Sequence, residues 1–186
     1  MRNSLLASTV FALAATNVSE ATLISFSQII TNNTASTQSY EIIQSAPTSI
    51  NSATAGMRGS LSIVLTDFNR NGAIFQSDGG NLYTAFANST LVRSAFVPAG
   101  GFLLTTPPRG MASSDNHFGT PVLEPMSPSL GTINSIEMRW NFRLSAGDQV
   151  AIAGTFEVTD AVVPAPASAA ILICSAISAR RRRTHQ

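Results

Sequence analysis

The amino-acid sequence predicts an all-β protein, an antiparallel β-sandwich or jelly roll. Short segments alternate apolar and polar residues with period two, which is typical of strands with one buried face. Gly, Asn and Pro separate these segments at short intervals, as they do in sandwiches. No long amphipathic helical pattern interrupts the series between the two ends of the 186-residue chain.

The clearest alternation lies near the C-terminal end of the domain. Apolar residues occupy the even positions of residues 136–144, and charged or polar residues occupy the odd positions. A turn-forming segment, residues 145–148, is followed by a second alternating segment, residues 150–158. We predict that these segments form an antiparallel hairpin in which Trp140 lies opposite Ile152 and is buried.

Further strands are predicted at residues 23–30, 40–44, 61–66, 82–87, 91–97 and 102–105. Residues 106–131 contain five prolines and three glycines and are predicted to lack regular structure. Long segments of this kind are often surface excursions. We expect this one to pack on its own Met111, Phe118, Val122 and Leu123; the alternative is that it lines a ligand surface.

The N-terminal end has the pattern of a signal peptide. Arg2 precedes a weakly apolar run, residues 5–15, and the small residues Ser19 and Ala21 flank Glu20 at the positions that a signal peptidase reads. We predict a signal peptide over residues 1–21 and a mature β-domain over residues 22–162. Cleavage after Ala14 and a buried N-terminal helix are the alternatives.

The C-terminal end, residues 163–186, has the pattern of a membrane-sorting segment. A proline-containing hinge precedes a small, apolar run at residues 167–179, and an arginine block follows it. As a transmembrane helix this run would cover only about 20 Å, less than the thickness of a bilayer core. The predicted sorting residues are Val163, Pro164, Ala165, Pro166, Arg180, Arg181, Arg182 and Arg183.

This tail resembles the PEP-CTERM sorting signal of bacterial proteins, although Ala165 stands where the family usually has Glu. The resemblance covers about the last 25 residues. It implies export, an exosortase-like membrane peptidase as a partner, attachment to the membrane through the tail, and location at the cell surface or in the extracellular matrix. Exopolysaccharide is a further partner that the family implies.

The charge of the domain excludes a basic nucleic-acid binder. Residues 22–162 contain six arginines, no lysine and nine acidic residues, a net charge of −3. The single cysteine, Cys174, lies in the tail, so the domain has no disulfide.

One segment resembles the start of a calcium-binding loop. Asp67, Asn69 and Asn71 precede Gly72, and Asp78 stands at the closing position. The segment contains only two carboxylates and is flanked by predicted strands, and Asn-Gly is also a common hairpin turn. We therefore assign no metal and no cofactor.

Groups suited to catalysis are few. His117 lies close to Asp115 and to Ser113 and Ser114, but neighbouring positions in one loop hold catalytic groups poorly. A pair of carboxylates, Glu124 and Glu137, is the other candidate.

The sequence thus predicts an exported cell-surface or extracellular-matrix protein that is not an enzyme. The alternative is a carbohydrate-binding module, supported by calcium, that uses Tyr83, Trp140 or the proline-rich segment.

Overall fold

The computed structural model describes residues 21–97 and 101–160. This part of the chain is an all-β protein built from two antiparallel sheets, as the sequence predicts. The predicted signal peptide, residues 1–21, lies outside the described residues except for Ala21, and so does the predicted C-terminal sorting segment, residues 163–186. Within the described ranges, no helix has the length and apolar character needed to cross a membrane.

The strands, in chain order, are β1 (Ala21–Thr31), β2 (Gln38–Asn51), β3 (Ala55–Thr66), β4 (Ala73–Ser77), β5 (Tyr83–Ala87), β6 (Thr90–Ala95), β7 (Leu103–Thr106), β8 (Met111–Phe118), β9 (Glu124–Pro125), β10 (Thr132–Leu144) and β11 (Gln149–Asp160). One 3₁₀ turn, Pro128–Leu130, precedes β10.

The first sheet has the strand order β1-β11-β3-β8, and the short β9 continues beside β3. The second sheet has the order β6-β5-β10-β4-β7. Strand β10 is the centre of this sheet, because β5 and β4 pair with successive parts of it while β2 pairs along nearly its whole length. Strands β1 and β2 lie side by side where the sheets meet, and the Thr22 and Thr48 hydroxyls are 2.7 Å apart.

The core lies between the two sheets and is rich in aromatic rings. Trp140 and Tyr83 are fully buried, with ring centroids 5.2 Å apart in an edge-to-face arrangement. Phe75 and Phe142 pack 4.8 Å apart in the same layer. The alternating apolar positions of β10 all face inward, so the burial predicted for Trp140 is confirmed.

The predicted hairpin between residues 136–144 and 150–158 is wrong. Both segments are strands, but β10 and β11 belong to opposite sheets. Trp140 pairs with Ile42 and Tyr83, and Ile152 pairs with Gln28 and Ile63. Residues 145–148 therefore cross between the sheets. The two apolar faces still meet, but through packing across the core rather than through backbone hydrogen bonds.

Glycine makes this face-to-face packing possible at one point. Gly154 of β11 lies beneath the Trp140 ring, and a Cβ atom added there would lie 3.2 Å from a ring carbon. That approach is shorter than ordinary van der Waals contact. The small residue in β11 therefore accommodates the large residue in β10.

The prediction that residues 106–131 lack regular structure is also wrong, because β8 and β9 lie within them. The inward positions of β8 are mostly Ala112, Ser114 and Asn116, so the strand lacks the apolar alternation that would reveal it. Its regular structure comes from pairing with β3. Met111 and Val122 are 68% and 77% exposed, so they do not form the local core that we expected.

The six other predicted strands all coincide with observed ones. Each predicted segment overlaps one observed strand, in order β1, β2, β3, β5, β6 and β7. Strands β2 and β3 are much longer than predicted. Strand β4 was not predicted.

Candidate functional site

One end of the sandwich gathers buried polar groups from four connections, and we call it the loop end. It consists of residues 32–37, 67–72, 107–110 and 145–148. Asn32 and Asp148 are fully buried there, and Asp67 is 7% exposed. Buried polar side chains are costly unless they are hydrogen-bonded, so each of these requires an account of its partners.

Asn32 fastens the first loop to the crossing between the sheets. Its side-chain amide donates to the carbonyls of Leu144, Ser145 and Ser36, each at 2.9 Å. Its side-chain oxygen accepts from the backbone N–H and the hydroxyl of Thr34. The backbone of Asn32 also exchanges hydrogen bonds with residues 147 and 148. Asn32 therefore links the first loop to residues 144–148, and each of its polar atoms has a hydrogen-bond partner.

Asp67 organises two other loops. One carboxylate oxygen accepts from the backbone N–H of Arg70 at 2.9 Å, and the other accepts from the N–H groups of Gly72 and Arg109. Burial raises the pKa of Asp67, but these three hydrogen bonds outweigh it and hold the pKa below its ordinary value. Asp67 is therefore an ionised acceptor that closes the turn after β3 and ties it to the turn after β7.

Asp148 lies against Asp67 and has the opposite electrostatic character. Burial raises the pKa of Asp148, and the neighbouring Asp67 charge adds to this effect. Hydrogen bonds from the Ser145 hydroxyl and the Phe68 backbone only partly oppose it. The Oδ1 atom of Asp148 is buried and has no donor among the described residues. Two carboxyl groups thus meet at one buried point, one favouring the charged form and the other the neutral form.

The residues of the predicted calcium-loop motif do not form a cage. Residues 73–77 of that 12-residue segment are strand β4, which separates Asp67 from Asp78 by about 16 Å of extended chain. The Asn69 amide donates to the carbonyl of Ala146, and its side-chain oxygen accepts from the N–H of Asn71. Among the described residues, no three His, Cys, Asp or Glu side chains gather at one point. The polar residues of this motif hold a turn.

A second concave feature lies on the outer face of the first sheet. It is a shallow groove of about 260 Å³ whose floor is made by small and hydroxylated side chains of β1, β3 and β11. The hydroxyls of Ser60 and Thr155 are 2.8 Å apart on this floor. The other polar side chains that line it are Ser25, Ser27, Ser62, Asp115 and His117.

His117 and Asp115 stand beside each other on the outer face of β8, not on a loop. Their cross-strand neighbours in β3 are Ser60 and Ser62 respectively. Both are exposed, and among the described residues no hydrogen bond joins the imidazole to the carboxylate or to a serine. The groups of a catalytic triad are thus close together but are not oriented by one another. His117 is therefore an exposed histidine of strand β8.

The candidate carboxylate pair is separated by the fold. Glu124 belongs to the first sheet and is paired with Arg93 at 3.2 Å. Glu137 belongs to the second sheet and is paired with Arg139. Each carboxylate has its own arginine, so the two do not act as one acid–base pair.

The aromatic candidates for ligand binding are both inside the core. Trp140 and Tyr83 have no exposed surface, so neither can stack on a sugar ring. The predicted sorting residues, 163–166 and 180–183, lie outside the described residues.

Comparison with known proteins gives only distant likenesses. No protein-family model and no curated protein matches the chain. Among solved structures, the chain is similar to one of the infectious bursal disease virus Gx strain, at 16% identity and a TM-score of 0.36 over 77% of this chain and 33% of the other. It is also similar to the VP2 subviral particle of that virus, at 15% identity and a TM-score of 0.30 over 73% and 37% of the two chains. The chain spans about a third of these proteins, and likenesses this weak carry no argument about its function.

Sequence reasoning did not find Asn32 or Asp148 as members of a site. Asp148 appears in the sequence only as a turn residue beside Gly147, and Asn32 as one of two adjacent asparagines. Their burial follows from the way four distant connections converge, and no local pattern encodes that convergence.

Proposed function

We propose that the chain is an exported β-sandwich that acts at the cell surface or in the extracellular matrix without catalysis. The observation that carries this proposal is the distribution of its chemical groups. The core aromatics and the loop-end acids are directed inward. The outer face of the first sheet is largely neutral and rich in hydroxyls. Such a surface is better suited to contact with a hydrated extracellular matrix than to catalysis.

The retention mechanism belongs to the same proposal. Residues 163–186 attach the protein to the membrane, and an exosortase-like membrane peptidase processes it there. The arginine block supports this because cationic side chains next to an apolar run favour the anionic cytoplasmic leaflet, by about 1 kcal/mol per charge near the surface. Because the apolar run is short, the block contributes a large share of retention.

The test is to replace residues Arg180, Arg181, Arg182 and Arg183 together with glutamine. We expect this variant to appear in the medium with its own C-terminus still attached. Without the arginine block the tail is not held in the membrane, where the peptidase would cleave it. Cell fractionation and C-terminal mass spectrometry measure this, and N-terminal sequencing should find Thr22 as the first residue.

The matched control replaces Arg139 and Arg143 of β10 with glutamine. This changes the charge of the folded domain and should leave its location unchanged. Identical distribution of the tail variant and the wild type would contradict retention by the tail, and an intact Met1 in the cytoplasm would contradict export.

Carbohydrate binding is the second candidate, and one observation favours it. The groove on the first sheet presents closely spaced hydroxyl donors and acceptors, as a neutral polysaccharide requires. Since Trp140 and Tyr83 are buried, this form of the hypothesis depends on hydrogen bonds without aromatic stacking. Saturable binding in a calorimetric titration with soluble neutral polysaccharides would support this candidate. A titration without heat of binding would contradict it, and only the first proposal would remain.

A further inference from the structure

We propose that Asp67 and Asp148 share a single proton at acidic pH. The resulting hydrogen bond holds two loops of the loop end together, and it is lost when the proton is released as the pH rises. The inference concerns the folded domain and does not depend on export or on the tail. Among the described residues, Asp148 is the buried acidic group that the fold leaves incompletely bonded.

A hydrogen between the two carboxyl groups would account for the arrangement of the buried groups. The Asn69 amide joins the loop of residues 67–72 to the carbonyl of Ala146, and this contact brings Asp67 beside Asp148, which has no exposed surface. Its Oδ2 accepts from the Ser145 hydroxyl, whereas Oδ1 has no donor among the described residues. If Oδ1 carries the proton, it becomes a donor to the Asp67 carboxylate. The unsatisfied atom and the repulsion between like charges then disappear together.

The surrounding groups favour a proton over a metal ion. Asp67 receives three backbone N–H groups, and Asp148 receives the Ser145 hydroxyl. These donors present positive ends to the carboxylates and would repel a cation. Calcium also requires six or more oxygen ligands, and the described residues gather only this pair of carboxylates.

The other charged groups near the pair point into solvent. Arg70 follows Asp67 in the same loop, and Arg109 lies in the turn after β7; both residues are exposed. Residues 32–37, which pack from the remaining side, contain no titratable side chain. The proton balance of the loop end therefore depends on Asp67 and Asp148.

The two acids respond to pH in opposite directions. Since the pKa of Asp148 is raised on folding, its contribution to stability is complete below the unfolded pKa and is lost as the pH rises through the folded pKa. The pKa of Asp67 is lowered on folding, so its contribution is lost only as the pH falls through that lower value. The singly protonated pair is most stable between these limits.

The decisive variant is Asp148→Asn in the purified full chain. The amide has the shape of a protonated carboxyl group and can donate to Asp67, but it cannot ionise. Denaturant unfolding from pH 4 to pH 8 should show equal midpoints for wild type and variant at pH 4. As the pH rises, the unfolding constant of the wild type should increase relative to that of the variant, by up to tenfold per pH unit, the limit for one proton. The difference should level off once Asp148 is ionised.

Asp115→Asn is the matched control, because it removes an exposed acid from β8 and should retain the pH dependence of the wild type. A ¹³C NMR titration of the Asp148 carboxyl gives a readout that does not depend on stability. A parallel pH dependence of wild type and Asp148→Asn, or a carboxyl that titrates as an ordinary aspartate, would overturn the proposal. So would a rise in the wild-type midpoint on adding CaCl₂ at pH 8 that Asp148→Asn does not show, since that would reveal a cation site.

Discussion

The aromatic core and the loop end of this sandwich are both buried, but they are held together by different physics. In the core, Trp140, Tyr83 and Phe75 are enclosed by apolar surface, and their stabilisation grows with the area removed from water. At the loop end, Asn32 and Asp67 are held by directional hydrogen bonds to backbone groups. The first kind of burial depends on volume, and the second depends on the position of single atoms.

This difference indicates which region tolerates substitutions and which region makes the stability depend on pH. Apolar packing can accommodate small errors by side-chain adjustment, and it carries no titrating group. A buried polar network fails when one partner is lost, because the remaining donor or acceptor is left unpaired. We therefore expect the core to dominate total stability and the loop end to control its dependence on pH.

The largest expected effect is in the core. Trp140→Ala should destabilise the domain by about 3–5 kcal/mol, because it removes the ring that packs against Tyr83 and Gly154 and leaves a cavity. Denaturant unfolding measures this. Met111→Ala, at a side chain that is 68% exposed, is the control and should change stability by less than about 0.5 kcal/mol. Equal effects in the two variants would mean that Trp140 is not in the core.

The next effect belongs to the loop end. Asn32→Ala should cost about 2–3 kcal/mol, since the carbonyls of Leu144 and Ser145 each lose a donor. Amide hydrogen exchange should show faster exchange at residues 145–148, with little change at β10. Its neighbour Asn33 is exposed, and Asn33→Ala should be near neutral. If the two variants had the same stability, the side-chain hydrogen bonds of Asn32 would not contribute to stability.

The smallest effect has the opposite sign. The Tyr83 hydroxyl is buried without a hydrogen-bond partner among the described residues, and burial raises the pKa of Tyr83 far above its ordinary value. Tyr83→Phe should therefore leave stability unchanged or raise it by about 1 kcal/mol, because a desolvated hydroxyl is removed. Thermal unfolding should show an equal or higher midpoint. A loss of more than about 1 kcal/mol would reveal a partner for this hydroxyl.

Local patterns were sufficient to predict much of the fold. The alternation in residues 136–144 predicted both a strand and the burial of Trp140, because period-two patterning encodes a face directly. Strand β8 was missed, since Ala112, Ser114 and Asn116 provide no apolar signal and pairing with β3 decides its conformation. The candidate site was predicted least well. Asp67 was noticed for its turn motif, but its partner Asp148 lies 81 positions further along the chain.

The sequence by itself determined the class of the fold and the inward face of each strong strand, because these depend on local periodicity. The tertiary structure alone decided that β10 and β11 lie in opposite sheets, since an apolar face can be covered equally well by a hairpin partner or by the facing layer. It also decided that Asp67 meets Asp148. Contacts between distant connections arise from the way the strands are ordered, and no pattern within either loop specifies that order.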